Sequence, residues 1–530
     1  MDQDILELLA EKVLLFDGAM GTRLQEVGLT EQIAPEEWNL KNPEAIKGIH
    51  RSYVEAGSDI IETNTFGANR VKLKGHGLAD QVEEINRAAV QLALEVSEDN
   101  YVAASVGPLG EFLAPVGRIS FREAVEIFQE QIGAQLEAGA DLLVIETMSD
   151  PQELKAAVVA AREIDEQVPI IALMTFDENL RTLMGTTPEV AAVILSALEV
   201  DVIGANCSLG PAGLLEVGQK LQQYTNKPLM LQPNAGLPEL VAGETVYKET
   251  PQEMAMYLED FVATGVRIIG GCCGTNPEHI KVFAEELESL VPVDSSTELN
   301  FNLASRAAIV ELKAEEETPL LIGDKINTIQ NKELKEELEQ GSLDILKSIA
   351  QAQQEAGAEI ININLSNLAN EVELLPQAVE KLQRNPRLAL AIESSNLRAL
   401  EAALTAANAK LLVSSQVSEE KLAKLLALVK RHGAAVNIFI DTEEDSLGLQ
   451  QKMKLARQIK AEAAKHNLAT QDLLINPLSA TEELDESTLK VITSIKSSLG
   501  LASALRADLN DFVKTELWEI GLKLYFGEPS

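Results

Sequence analysis

Two of the chain's three cysteines are adjacent, Cys272 and Cys273 in Gly-Gly-Cys-Cys-Gly-Thr, and the third, Cys207, stands in Ala-Asn-Cys-Ser. Each segment closes an apolar run that reads as a buried strand, so three sulfurs at the ends of two strands can point at one spot. A lone free cysteine usually packs as a small hydrophobe, and adjacent cysteines bridge each other only across a strained peptide. A Cys-Cys pair between glycines reads differently, because glycine lets the backbone fold tightly enough for both sulfurs to face one centre. Cys207, Cys272 and Cys273 are therefore the expected catalytic and metal-ligating set. Three sulfurs around an open fourth position suit a catalytic Zn²⁺, and soft thiolates select it over Mg²⁺ or Ca²⁺. The five histidines (His50, His76, His279, His432, His466) fall mostly in helical or loop segments, which leaves the ligand set all sulfur. Charge then names the chemistry. Three thiolates on Zn²⁺ give a site of net −1, poor at making hydroxide but suited to binding an incoming thiol. A free thiol titrates near ~8.5, and coordination makes its thiolate dominant at neutral pH. The expected reaction is alkyl transfer to sulfur, not hydrolysis.

Two carboxylates at other strand ends, Asp17 and Glu146, suit an ammonium group, and the amides from Gly18 and Ala19 to Gly21 are placed to cradle a carboxylate. Together they point to a thiol that belongs to an amino acid. A helix follows each strand, so a helix N-cap is the alternative reading for both acids. Asn234, in Pro-Asn-Ala-Gly, reads either as an occupant of the metal's fourth position when substrate is absent or as an ordinary turn residue.

The elements that must hold these residues are short apolar runs alternating with amphipathic helical segments. In the first 290 residues the runs are Val13–Ala19, Asp59–Phe66, Tyr101–Leu109, Asp141–Met148, Pro169–Phe176, Val200–Ser208, Pro228–Gly236 and Val266–Thr275. Eight such units imply parallel pairing closed into a barrel, with chemistry at the C-terminal strand ends. A doubly wound open sheet is the alternative, but no Gly-x-Gly-x-x-Gly follows an early strand. Residues 291–317 are polar and charged and read as a linker. From 318 to 530 a second alternation runs through Leu320–Asn327, Glu359–Leu365, Leu388–Glu393, Lys410–Ser415, Ala435–Asp441, Leu473–Pro477, Gly500–Arg506 and a weak Leu522–Gly527. The expected fold class is α/β, two (β/α)8 TIM-type barrels in tandem, the second lacking its last helix.

The composition is that of a globular protein, 46% hydrophobic and 24% charged. A net charge of −39 argues against a nucleic-acid partner and disfavours an anionic membrane. The absence of a long apolar stretch or a basic leader, with so few cysteines, leads us to expect a cytoplasmic protein.

Four segments carry a resemblance. Asp-Gly-Ala-Met-Gly-Thr, Glu-Thr-Asn-Thr-Phe-Gly-Ala-Asn, Gly-Ala-Asn-Cys-Ser-Leu-Gly-Pro and Gly-Gly-Cys-Cys-Gly-Thr make residues 1 to 290 similar to the homocysteine S-methyltransferase family, in particular to the homocysteine-binding module of cobalamin-dependent methionine synthases. The resemblance implies that zinc-held homocysteine accepts a methyl group to give methionine. Residues 318 to 530 resemble the pterin-binding barrel that follows in those enzymes, through Gly-Asp-Lys-Ile-Asn at Gly323–Asn327 and the strand Ile361-Asn362-Ile363-Asn364. It implies a methyltetrahydrofolate site formed by Asp324, Asn327, Asn364, Glu393 and Asn476. This chain departs from that pattern. Asp324 stands for the usual Glu, Asn362 and Asn476 for Asp, and Ser414 for Asn, and the usual Asn near Ser503–Ala504 is absent. Each Asp-to-Asn change costs a ring donor its partner, about 1–3 kcal/mol. A different ligand and a purely structural role therefore remain open for this barrel. No Asp-x-His-x-x-Gly pattern for a cobalamin ligand occurs, so the expected methyl donor is a separate corrinoid protein or a small sulfonium or methylated-thiol compound. A non-catalytic methyl-carrier docking or thiol-binding protein is the alternative function.

Overall fold

The computed structural model describes all residues except 1–4, 31, 98, 242–243, 294–298, 313–317, 417, 441–446, 478–485, 507–513, 515–516, 520 and 528–530. The chain divides into two compact units, Met1–Thr297 and Glu298–Ser530.

In the first unit, β1 (Leu14–Leu15), β2 (Ile60–Glu62), β3 (Tyr101–Val106), β4 (Leu142–Met148), β5 (Ile170–Met174), β6 (Val202–Asn206) and β7 (Leu229–Gln232) pair in parallel. A small antiparallel hairpin, β8 (Glu239–Val241) and β9 (Glu244–Val246), intervenes before β10 (Val266–Ile269), which pairs with both β7 and β1. A parallel bridge between Phe16 and Ile60 joins β1 to β2 and closes the ring. Successive strand residues alternate sides, and the core divides accordingly. Leu14, Phe16, Ile60, Tyr101, Ala103, Leu142, Val144, Ile171, Leu173, Val202, Met230 and Ile268 form one cluster inside the barrel, with Ile5 and Leu9 of the N-terminal helix. The intervening residues, such as Leu15, Ala104, Leu143, Ala172 and Ile203, join the layer under the helices. Both faces are thus apolar, which is why the strands read as continuous hydrophobic runs. The helices after the strands start on proline at Pro151, Pro188, Pro211 and Pro277, where a missing amide hydrogen costs nothing. Asp150, Thr187 and Asn276 cap three of them through their side chains.

One buried group in this unit has a measurable consequence. His50, on the helix Pro43–Glu55, is fully buried with neither ring nitrogen hydrogen-bonded, and burial lowers its pKa from 6.5 to about 4. The unfolded chain therefore binds the proton more readily, so stability is complete above about pH 6.5 and falls as the pH drops toward 4. The loss approaches about 3 kcal/mol. Urea unfolding across that range should show a flatter acid limb for His50→Leu than for the wild type.

The second unit opens with a hairpin, β11 (Asn302–Ala304) and β12 (Ile309–Glu311), so this part of the stretch expected as a linker is ordered structure belonging to the second unit. Its Phe301, Leu303 and Leu312 pack into the interior of a closed parallel barrel. The barrel comprises β13 (Leu320–Asn327), β14 (Ile360–Asn364), β15 (Ala389–Glu393), β16 (Leu412–Ser415), β17 (Ala435–Phe439), β18 (Leu473–Asn476), β19 (Ala502–Arg506) and β20 (Leu522–Gly527). Lys410 anchors the hairpin, donating to Asn302 Oδ1 (3.0 Å) and pairing with buried Asp472 (2.6 Å). The two-barrel α/β architecture is as the sequence pattern predicts. Among the described residues no helix follows β20, and no helix is long and apolar enough to cross a membrane.

Inside this barrel an apolar layer of Ile322, Ile360, Ala391, Leu412, Ala435, Leu474 and Ala504 lies below a polar one. The residues two positions further along each strand are Asp324, Asn362, Glu393, Ser414, Asn437, Asn476 and Arg506, so each strand from β13 to β19 sends a polar side chain to the C-terminal mouth.

Candidate functional site

At the mouth of the first barrel the three cysteines meet. Their sulfurs all lie within 4.8 Å of one another, and Cys207 Sγ and Cys273 Sγ are 3.9 Å apart. Cys207 directly follows β6 and adopts a left-handed conformation (φ 62°), as does Ser208 (φ 59°), which turns the sulfur back over the barrel end. The Cys272–Cys273 loop is tied to the loop after β7: Cys272 N donates to Pro233 O (2.8 Å) and Ala235 N to Cys273 O (2.9 Å). Gly274 takes φ 82°, and a Cβ there would fall 2.3 Å from Tyr247 Cγ, so only glycine lets the tyrosine close over the loop. Thiol hydrogen bonds from Cys207 and Cys272, with the Tyr247 hydroxyl, hold Cys273 down to about 3. Sulfurs about 2.3 Å from a tetrahedral zinc lie about 3.8 Å apart, so the spacing fits a metal ion held by three thiolates. His279 is not a candidate fourth ligand, because its ring caps its own helix through Asn276 and meets Glu249 O (3.1 Å).

Beside the sulfurs sit three carboxyl groups. Asp17, 2% exposed, accepts from Glu62 N through Oδ2 (2.9 Å) and leaves Oδ1 buried without a partner. Glu146 accepts from Ser105 Oγ (2.6 Å) and Asn206 Nδ2 (2.8 Å). A register shift between Ile145 and Met148, with Thr147 at φ 55°, marks the end of β4 where Glu146 stands. Thr147 N in turn donates to Asn206 Oδ1 (2.8 Å), so the residue before Cys207 also orients Glu146. Neither acid caps a helix: Asp150 caps the helix after β4, and the helix after Asp17 has no side-chain cap. Sequence reasoning missed the third member, Glu62. Burial and then the nearby Glu146 push its carboxyl well above the usual range, and burial does the same to Asp17. Among the described residues no lysine, arginine or histidine lies within ion-pair distance of these three acids. A buried acidic cluster of this kind is completed by a cation.

Gly18 lies against Thr275 and Tyr53, where a Cβ would come within 2.9 Å of both. The Ala19 amide already donates to Thr275 Oγ1 (3.1 Å), which narrows the carboxylate cradle expected from Gly18 to Gly21. Asn234 is 2% exposed with a buried, unpartnered Oδ1, and its neighbours are those bonded to the cysteine loop.

The mouth of the second barrel is wired internally. Arg506 Nη2 pairs with Glu393 Oε2 (2.5 Å) and Arg506 Nε lies 3.2 Å from Asp324 Oδ2. Asn362 Nδ2 donates to Asp324 Oδ1 (2.7 Å) and Glu393 Oε2 (3.0 Å). Of the expected pterin residues, Asp324 and Glu393 come together here. Asn327 joins them at the edge, its Nδ2 donating to Asp324 Oδ2 (3.4 Å) while its Oδ1 accepts from Ile329 N (3.0 Å); Asn364 is turned to a local task, accepting from Ser366 N (3.1 Å). Asn476 is fully buried at the end of β18.

Residues 14–287 match the family described as homocysteine S-methyltransferase. The methionine synthase of Mycobacterium tuberculosis is 29% identical over 570 aligned residues, covering 98% of this chain and 48% of that protein. The chain thus spans about half the length of the curated relatives it matches. Among solved structures, the metallated homocysteine methyltransferase MmuM of Escherichia coli shares 26% identity over 53% of this chain and 98% of its own, with a TM-score of 0.46. A Yersinia pestis dihydropteroate synthase shares 13% over 42% of this chain and 92% of its own, with a TM-score of 0.33.

Proposed function

The chain belongs to the homocysteine S-methyltransferase family, and from that premise we propose that its first barrel transfers a methyl group to the thiol of homocysteine, giving methionine, with Zn²⁺ held by Cys207, Cys272 and Cys273. The observation that carries the reading is the convergence of those sulfurs beside the acidic cluster of Asp17, Glu62 and Glu146 at one barrel mouth. When bound, the zinc supplies the positive charge that lowers the substrate thiol's pKa.

The chain's own residues do the rest. Asp17, through its unpartnered Oδ1, and Glu146, held by Ser105 and Asn206, receive the substrate ammonium. Glu62 lies next to both, and burial with the nearby Glu146 pushes its carboxyl up toward the neutral form, which limits the cluster's charge. Asn234 Oδ1 offers an acceptor to the metal until substrate arrives. The bond changes balance simply: the homocysteine S–H gives up its proton, an S–CH3 bond forms, and the pair of the broken methyl bond leaves with the donor. We assign the donor role to a methyl group carried on a corrinoid protein, on the strength of the resemblance to cobalamin-dependent enzymes. The test is methionine formation from homocysteine with methylcobalamin, S-methylmethionine and methyltetrahydrofolate offered separately, with and without a corrinoid protein. Methionine from the corrinoid donor supports the proposal, turnover with S-methylmethionine alone reassigns the donor, and no methionine from any donor refutes it.

A further inference from the structure

The second barrel keeps the acidic pair that a ring ligand would need, yet that pair is already filled. Asp324 on β13 and Glu393 on β15 face each other across Asn362, and the guanidinium of Arg506, reaching from β19, lies against both. The Cζ of Arg506 also sits 5.2 Å from the centroid of Phe526, the β20 residue at the same level. A guanidinium presents planar N–H donors in a fixed fork, well matched to carboxylates. The 2-amino-4-oxo edge of a pterin offers the same pattern, an N–H beside an NH2 in one plane. Ligand edge and arginine therefore compete for the same oxygens. A ligand that displaced Arg506 would leave a largely buried guanidinium, its side chain 14% exposed, unpaired, a loss of about 100-fold or more in affinity.

We propose that Arg506 is the specificity-determining residue of the second barrel: it occupies the Asp324–Glu393 carboxylate pair from within and excludes ligands that bring their own planar N–H donor edge, pterins included. The inference is independent of the chemistry at the first barrel, and its test reads no methyl transfer.

Arg506→Ala leaves a guanidinium-shaped space between two carboxylates, so the variant should accept a guanidinium from solution. Thermal unfolding of the full chain with millimolar ethylguanidinium, against equal ethylammonium, reads this directly. The expected result is a saturable rise in Tm for Arg506→Ala with ethylguanidinium, a much smaller one with ethylammonium, and no difference between the salts for the wild type. Calorimetric titration of the wild type with methyltetrahydrofolate should show no saturable binding. Should Arg506→Ala fail to fold alone, folding restored by ethylguanidinium supports the proposal, and Arg506→Gln carries the same salt comparison. Micromolar methyltetrahydrofolate binding by the wild type, or variants no more responsive to ethylguanidinium than the wild type, would overturn it.

Discussion

Cys273→Ala will lose bound metal and methyl transfer together, while the barrel stays folded. The residue lies in a loop beyond β10, outside both apolar layers, and its partly buried side chain carries little of the packing that holds the strands. Removing one of three sulfurs leaves two, too few for a closed thiolate set at this mouth. Losing even an outer hydrogen-bond partner of a ligand typically costs 10–100-fold in metal affinity, so loss of a ligand should exceed about 100-fold. Transfer should fall with it: the substrate thiol then keeps a pKa of about 8.5, which leaves about 3% thiolate at neutral pH, a loss of about 30-fold, and loss of its positioning adds to that. Elemental analysis, initial rates and far-ultraviolet circular dichroism read the three quantities separately. A variant that retains a full complement of metal and full activity would show that Cys273 is a packing residue.

Asp17→Asn and Glu62→Gln should behave oppositely, although both replace a buried acid by its amide. Asparagine at position 17 keeps an acceptor for the Glu62 amide, which Asp17 Oδ2 now receives at 2.9 Å, so the local fold survives. It removes the charge that Asp17, pushed up by burial in the free protein, takes on when the substrate ammonium meets its open Oδ1. Truncating one side of a buried charged pair costs about 2–5 kcal/mol, so KM for homocysteine should rise about 100-fold, with metal content unchanged. Burial and the nearby Glu146 push the Glu62 carboxyl well above the usual range, toward the neutral acid. Glutamine is close to an isostere of that form, and KM should change only a few-fold. If the two variants shift KM equally, the division of labour within the acidic cluster is wrong.

The outline of both barrels was legible because each strand is buried on two faces and leaves a continuous apolar run. The cysteines were legible because three rare residues stood at the ends of such runs. Glu62 and Arg506 were not singled out, although the signal was present. Glu62 lies two residues beyond the inward-facing Ile60, and Arg506 two beyond Ala504. Reading that period of two through the last apolar residue of each strand assigns both to a barrel mouth. Tyr247 gave no such signal. It follows the β8–β9 hairpin and reaches Cys273 only through the close approach at Gly274, a contact that depends on loop conformation. The left-handed turn at Cys207 and Ser208 was equally unreadable, since neither residue type favours it. The hairpin at Asn302–Glu311 was hidden for another reason: its two three-residue strands are too short to show a period.

Metal dependence of thiol methylation tests the central claim most directly. The protein is dialysed against a chelator, then assayed for methionine formation from homocysteine and a corrinoid methyl donor before and after addition of one equivalent of Zn²⁺. Activity should vanish with the metal and return with zinc, in step with metal bound per chain. Undiminished methylation by the chelated protein would contradict the account.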